Sequence, residues 1–216
     1  VQINGIVNEY IHVEKPDQEA VPSRQFDISK IDFELLSREF AHTRRKNLLL
    51  RDLDELVNQQ LAKMLFANPQ RIDYYDRYQE IIDAYNAEQN RATIEKTFMD
   101  LMELANSLDT EQQRYVREGF SSDEELSVYD LLFSENLTKQ EIETIKKVSV
   151  DLLTKIKQQI AKLDHWTDKQ ETKAIVDNLI RNTLWQELPN SYDVSDIQTY
   201  QKKIYEYVYM RYPEVA

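Results

Sequence analysis

Glycine and cysteine are the residues that this chain has least of. Its 216 residues include two glycines, Gly5 and Gly119, and no cysteine. Loops that close backbone amides around a phosphate depend on glycine, and neither glycine lies in such a motif. The absence of cysteine excludes thiolate catalysis and thiol metal sites, and it is typical of a reducing, cytoplasmic compartment. The sequence therefore indicates little catalytic equipment of its own.

Long apolar runs and an excess of positive charge are also missing. No segment approaches the roughly 18 apolar residues of a membrane span, and there is no signal-peptide hydrophobic region. The formal net charge of −12 argues against nucleic-acid binding by the whole surface, although a local basic patch is compatible with it. The length favours one or two domains, and with 41% hydrophobic residues the chain can bury a core.

Residues 1–28 differ in pattern from the rest of the chain. Their apolar residues alternate loosely, and Pro16 and Pro22 follow. This pattern is typical of a short strand or an extended arm rather than a helix. Because the chain begins at Val1 and not at methionine, we expect an arm that links an upstream domain of a longer protein to the helices after residue 28.

From Ser29 onward, capping signals and apolar spacing predict an all-α chain. Four pairs have the capping-box spacing or its close relative: Ser29 with Asp32, Ser122 with Glu125, Thr138 with Glu141, and Thr167 with Gln170. Asn68-Pro69 indicates another helix start, and Gly119 a helix end. Apolar residues recur at helical spacing between these signals, most clearly from Ile142 to Leu163. We count about eight helices in two groups, a helical domain over 29–120 and a C-terminal bundle over 121–216.

The densest run of cations is a candidate contact with a nucleic-acid backbone or an acidic partner. Arg44, Arg45 and Lys46 follow one another in an otherwise acidic chain. A solvated helix start is the alternative and the more common explanation for so short a run. Cations at a helix N-terminus oppose the helix dipole, which favours the functional interpretation slightly.

Two Glu-x-x-His sequences raise the remote alternative of a di-iron helical bundle. They are Glu9 to His12 and Glu39 to His42, and on a helix this spacing places a carboxylate and an imidazole on one face. Pro16 and Pro22 separate the first sequence from the helices, so we do not expect the two to share one four-helix core. Coincidence in a glutamate-rich chain explains them better, and we assign no metal or cofactor site.

The two tryptophans and the C-terminal tyrosines are candidate interface anchors. Tryptophan and tyrosine are enriched in binding hot spots, although aromatic residues at helical spacing more often belong to the core. The residues that we single out for subunit docking are Trp166, Trp185, Tyr205 and Tyr209. Trp166 lies beside the predicted cap Thr167 and is the better interface candidate.

A series of short motifs occurs in a particular order and spacing. They are Gln70-Arg71-Ile72-Asp73-Tyr74, Tyr78-Gln79-Glu80-Ile81-Ile82-Asp83-Ala84-Tyr85-Asn86, Arg117-Glu118-Gly119-Phe120, Leu137-Thr138-Lys139-Gln140-Glu141-Ile142-Glu143, Trp166-Thr167-Asp168-Lys169-Gln170-Glu171-Thr172 and Leu188-Pro189-Asn190-Ser191-Tyr192-Asp193. Together they resemble the C-terminal helical region of the restriction (R) subunit of type I restriction–modification enzymes. The resemblance covers nearly everything from about Ile31 onward.

The resemblance implies a function for the parent protein and a supporting role for this part. The parent R subunit would be an ATP-dependent DNA translocase and endonuclease that uses ATP and Mg²⁺, with a nuclease domain and two motor domains upstream. The arm at 1–28 would then come from the motor. The helical part would dock onto the methyltransferase and specificity subunits. Duplex DNA would be contacted by the parent subunit. The family's nuclease and nucleotide motifs are absent here, so no catalytic residue is carried over.

Overall fold

The computed structural model describes residues 32–88 and 91–213, and it shows only helices in this part of the chain. The elements are α1 (Phe33–His42), α2 (Lys46–Ala67), a 3-10 turn (Pro69–Arg71), α3 (Ile72–Ala87), α4 (Arg91–Gln112), α5 (Arg114–Arg117), α6 (Asp123–Leu132), α7 (Lys139–Ile160), α8 (Gln170–Glu187) and α9 (Val194–Arg211). The all-α prediction is confirmed for these residues. The predicted arm at 1–28 lies outside them. No described helix combines the length and the apolar character needed to cross a membrane.

Three of the predicted helix starts are confirmed by their hydrogen bonds. The Ser122 hydroxyl accepts from the amide of Glu125 at 3.3 Å and begins α6. Thr138 forms a full capping box, because its own amide also donates to the Glu141 side chain at 2.8 Å. Asn68 caps the 3-10 turn with Pro69 in its first position. These caps satisfy amides that have no partner inside the helix, which is why local sequence locates the starts well.

The predicted start at Thr167 is wrong. Helix α8 begins at Gln170, and the residue before it, Lys169, makes no side-chain cap. His165 adopts a φ of 45°, and the loop carries the Thr167 hydroxyl toward the Pro213 carbonyl, 3.5 Å away. Instead, a residue in the first turn of α8 bonds to the loop before the helix: the Thr172 hydroxyl donates to the Trp166 carbonyl oxygen at 2.7 Å.

Two separate hydrophobic cores form, one in each group of helices. The first is built by α1 to α4, and its buried members are Phe40, Leu50, Leu53, Val57, Leu61, Met64, Tyr78, Phe98, Leu101, Met102, Leu104, Ala105 and Leu108. Phe40 anchors α1 by stacking on Phe98 at 3.6 Å between ring centroids. Helices α2 and α4 run parallel. Lys46 and Glu95 pair near their starts, 2.5 Å apart, and Arg71 of the 3-10 turn that follows α2 pairs with Glu111 near the end of α4, 3.0 Å apart.

The second core lies among α6 to α9 and includes the turn before α6. Its largest fully buried side chains are Leu126, Leu132, Ile145, Leu152, Ile156 and Trp166. Phe120 also packs into it, although this residue falls at the end of the predicted first domain. The change from one core to the other therefore occurs between Leu108 and Phe120, and the domain bounds at 120 and 121 stay a prediction.

The turn between the two groups depends on a glycine. Gly119 has a φ of +83°, and the amide of Phe120 donates to the Tyr115 carbonyl at 2.8 Å in the pattern that ends many helices at glycine. A Cβ added at Gly119 would meet nothing within 4 Å. The glycine is therefore required by backbone conformation and not by lack of space.

Gly119→Ala should lower the free energy of unfolding by roughly 1–2 kcal/mol, because an L-residue is strained in the left-handed region. Chemical denaturation of the chain measures this. Ser121→Ala is the control, since Ser121 is exposed two residues away and should change stability by less than about 0.5 kcal/mol. If the two variants were equally stable, the left-handed conformation at position 119 would not require glycine.

Candidate protein-interaction surface

Trp166 belongs to the interior and not to the surface. The side chain is 1% exposed, and its Nε1 donates to the carbonyl oxygen of Tyr212 at 2.6 Å. Its ring meets Tyr205 and Tyr209 edge to face, with centroids 6.2 and 5.7 Å apart. Burial corrects the role predicted for Trp166, because the indole offers no surface to a partner. Its place in the fold is to support the two tyrosines.

The two tyrosines above Trp166 are only partly available. Tyr205 is half-buried, while Tyr209 is 39% exposed. The Lys173 ammonium lies over the Tyr209 ring, 5.7 Å from its centroid. A cation on one ring face keeps Tyr209 in a defined position at the edge of α8 and α9. Of the pair, Tyr209 is the residue that a partner could reach.

Trp185 is the most exposed aromatic residue among the four predicted docking residues. Its side chain is 59% exposed and projects from α8. Further exposed residues lie on the same side of this helix, at spacings of three and four. We call the exposed side of α8 the α8 face, and its members are Gln170, Glu171, Ala174, Ile175, Asn178, Arg181, Asn182, Trp185 and Gln186.

The α8 face carries less charge than the exposed side of the neighbouring helix α7. Nine residues of α8 are exposed, and two of them, Glu171 and Arg181, are charged. Helix α7 also has nine exposed residues, and these include five charged ones. They are Lys139, Gln140, Glu143, Lys147, Val150, Asp151, Thr154, Lys157 and Gln158. Seven of the nine members of the α8 face are therefore neutral, against four of the nine exposed residues of α7.

The other charges of α8 point at neighbouring helices. Besides Lys173, which covers the Tyr209 ring, Asp177 accepts a hydrogen bond of 2.8 Å from the Gln201 side chain. Glu187 accepts from the Lys155 ammonium at 2.7 Å. These contacts flank the helix on both sides, so Glu171 and Arg181 are the charged residues that remain on the α8 face. The face is therefore apolar at Ile175 and Trp185 and amide-bearing between them.

The predicted cationic run splits into free and engaged residues. Arg44 and Arg45 are exposed in the turn before α2, and within residues 32–88 and 91–213 neither guanidinium has an ion-pair partner. Lys46 is half-buried; its ammonium pairs with Glu95 at 2.5 Å and lies 4.9 Å from the Phe40 ring centroid. Two cations of the predicted three are therefore available to a phosphate backbone.

The structure describes one of the two Glu-x-x-His sequences. Glu39 and His42 lie exposed on α1, and Glu9 and His12 fall outside the described residues. In the described part of the chain, no three or more His, Asp or Glu side chains lie close enough together to hold a metal ion. The di-iron hypothesis stays an untested prediction.

Sequence reasoning found Trp185 but missed the rest of the α8 face. Its members at Ile175, Asn178, Asn182 and Trp185 are spaced three, four and three residues apart, which places them on one side of a helix. The signal in the sequence is a helix side with few charges. It is easily overlooked because apolar periodicity draws attention to the buried side.

Comparison with known proteins agrees with the motifs. Residues 18–212 match the family described as type I restriction enzyme HindI endonuclease subunit-like, C-terminal. No curated protein and no solved structure matches the chain. The matched range confirms the resemblance that the motifs carry, and it contains every described helix. The chain belongs to the family of C-terminal domains of type I restriction endonuclease subunit-like proteins.

Proposed function

We propose that this domain is a docking module that holds a type I restriction endonuclease subunit on its methyltransferase and specificity subunits. The observation that carries the proposal is the α8 face, which has few charges and exposes Trp185 near one end. The role places the domain in the cytoplasm. ATP-dependent DNA translocation and Mg²⁺-dependent cleavage are assigned to other regions of the parent subunit.

The chemistry of the α8 face suits protein contact. Charged residues are depleted at the centre of protein interfaces, because each charge must lose its water on association. Tryptophan supplies a large apolar area and an indole N–H, and it is enriched among the residues that dominate binding energy. Asn178 and Asn182 can donate and accept hydrogen bonds at little desolvation cost compared with a charge.

Replacing Trp185 by alanine in the full endonuclease subunit should weaken binding to the purified methyltransferase–specificity complex. Loss of a hot-spot residue costs at least about 2 kcal/mol, which corresponds to roughly 30-fold in Kd. Titration calorimetry or interferometry measures the change. Asn182→Lys should weaken binding too, because it buries an unpaired charge.

Two substitutions on α7 serve as matched controls. Val150→Ala removes an exposed apolar side chain, and Gln158→Lys adds a charge, both away from the α8 face. We expect wild-type affinity from each, and unchanged helicity for all four variants. An unaltered Kd for both Trp185→Ala and Asn182→Lys would rule out docking through this face.

Exposure of Arg44 and Arg45 favours a second candidate function, which is guidance of duplex DNA. Replacing both arginines by serine in the intact complex should reduce the salt dependence of DNA binding, since each lost phosphate contact lowers the slope by about one. Lys46→Ala should leave the slope unchanged, because its ammonium is already engaged by Glu95. A slope that is the same for the double variant and the wild type would remove this candidate.

A further inference from the structure

Helix α6 stands between the two hydrophobic cores and presents a different side to each. Val128 and Leu132 point into the C-terminal core and are fully buried. Asp123, Ser127 and Asp130 are spaced four and three residues apart, so they share the opposite side. We call these three residues the α6 polar face.

Every residue of the α6 polar face binds the N-terminal group of helices. Asp123 accepts two hydrogen bonds from the Arg71 guanidinium, at 2.9 and 2.6 Å. The Ser127 hydroxyl lies 2.9 Å from the carbonyl oxygen of Ala67, at the end of α2. Asp130 accepts from the Asn68 amide at 2.6 Å. All these contacts are made with residues 67–71, which form the 3-10 turn and the end of α2 before it.

Two more residues complete the network: Glu111 near the end of α4 and Arg114 at the start of α5. Arg114 pairs with Asp130, and its other terminal nitrogen donates to Glu111 at 2.9 Å. Glu111 in turn accepts from Arg71 Nε at 3.0 Å. Arg71 is 3% exposed, and its pKa lies above the ordinary value: burial lowers it, but the hydrogen bonds and charges of Asp123 and Glu111 outweigh that effect. Two cations are thus shared among three carboxylates at the junction, where the side chains of Arg71, Glu111 and Asp130 are at most 9% exposed and those of Arg114 and Asp123 are partly exposed.

A cation–π contact joins the groups at a second place. The Arg211 guanidinium of α9 lies 4.8 Å from the ring centroid of Phe66 on α2. Arg211 also lies 3.8 Å from Glu124 at the start of α6. The buried hydrophobic residues, by contrast, form two distinct clusters that do not merge across the junction. Within the described chain, the groups are held together mainly by directional polar contacts.

We infer that the α6 polar face is a lock that holds the two helix groups at one fixed angle. Hydrophobic contacts alone tolerate sliding, whereas bidentate arginine–carboxylate pairs have a defined direction and length. The lock keeps the Arg44–Arg45 turn and the α8 face at a constant separation. The inference stands whether or not either surface binds the proposed partner.

Distance measurement between two spin labels tests the lock. The chain contains no cysteine, so Asn86→Cys on α3 and Gln198→Cys on α9 provide the only two thiols; both positions are exposed. The chain that carries only these two cysteine substitutions should give one narrow distance distribution. Adding Asp123→Asn, Ser127→Ala and Asp130→Asn should broaden it or add a second distance, with helicity retained because each group keeps its own core.

The control adds the same chemical changes on the exposed side of α7, as Glu143→Gln, Asp151→Asn and Thr154→Ala, and should leave the distribution narrow. If the α6 triple variant loses its helices, Asp130→Asn alone is compared with Asp151→Asn, and broadening is expected only for the former. A broad distribution in the doubly labelled chain without the α6 changes, or a narrow one in the folded α6 variant, would overturn the inference.

Discussion

Replacing Trp166 by alanine should lower the free energy of unfolding by about 3–5 kcal/mol, the cost of removing a buried tryptophan. The side chain is 1% exposed, it donates a hydrogen bond to Tyr212, and it packs edge to face on two tyrosines. Alanine leaves a cavity and an unpaired carbonyl at the end of α9. Urea denaturation followed by circular dichroism measures the loss.

The second tryptophan supplies the control for this prediction. Trp185→Ala should change stability by less than about 0.5 kcal/mol, because the side chain is 59% exposed. Only these two tryptophans occur in the chain, so fluorescence reports on each when the other is replaced. Iodide should quench the Trp185 emission strongly and the Trp166 emission weakly. Equal stability losses, or equal quenching, would contradict the assignment of one residue to the core and one to the surface.

Arg71→Ala should be as damaging, with a loss of about 3–5 kcal/mol, because it removes the buried guanidinium that Glu111 and Asp123 share. Glu111 is 9% exposed and would lose one of its two arginines, and Asp123 would lose both of its hydrogen bonds from Arg71. The cost arises from the carboxylates left behind more than from the missing contact itself. Thermal and urea unfolding of the chain measure it.

Arg77→Ala is the matched comparison. Arg77 also pairs with a glutamate, Glu103, at 2.8 Å, but this pair is largely exposed. Exposed ion pairs contribute about 0.2–1 kcal/mol to the free energy of unfolding, so this variant should be nearly as stable as the unsubstituted chain. If Arg71→Ala were no more costly than Arg77→Ala, the buried network would not stabilise the junction.

Features set by neighbouring residues can be predicted from the sequence. The longest predicted helix, from Ile142 to Leu163, corresponds to α7, because its cap at Thr138 and its apolar period act within a few residues. The sequence also predicts a helix end at Gly119, and the positive φ of this residue shows why the helix ends there. All-α architecture arises from the same local signals repeated along the chain.

Features that depend on distant residues cannot be predicted in this way. The sequence favours Trp166 at the surface because it lies beside a cap signal, yet the partner that buries it, Tyr212, is 46 residues later. Arg71 is visible in the sequence only as part of a family motif. Its two acidic partners lie 40 and 52 residues further along, and no local pattern indicates such a pairing.

Site-specific photo-crosslinking tests the docking proposal most directly. A benzophenone amino acid placed at Asn182 of the full endonuclease subunit reports what lies against the α8 face in the assembled enzyme. A crosslink to the methyltransferase or specificity subunit is the result that we predict, with none from the same probe at Gln158 on α7. Full assembly with no crosslink from Asn182, or with equal crosslinks from both positions, would contradict docking through α8.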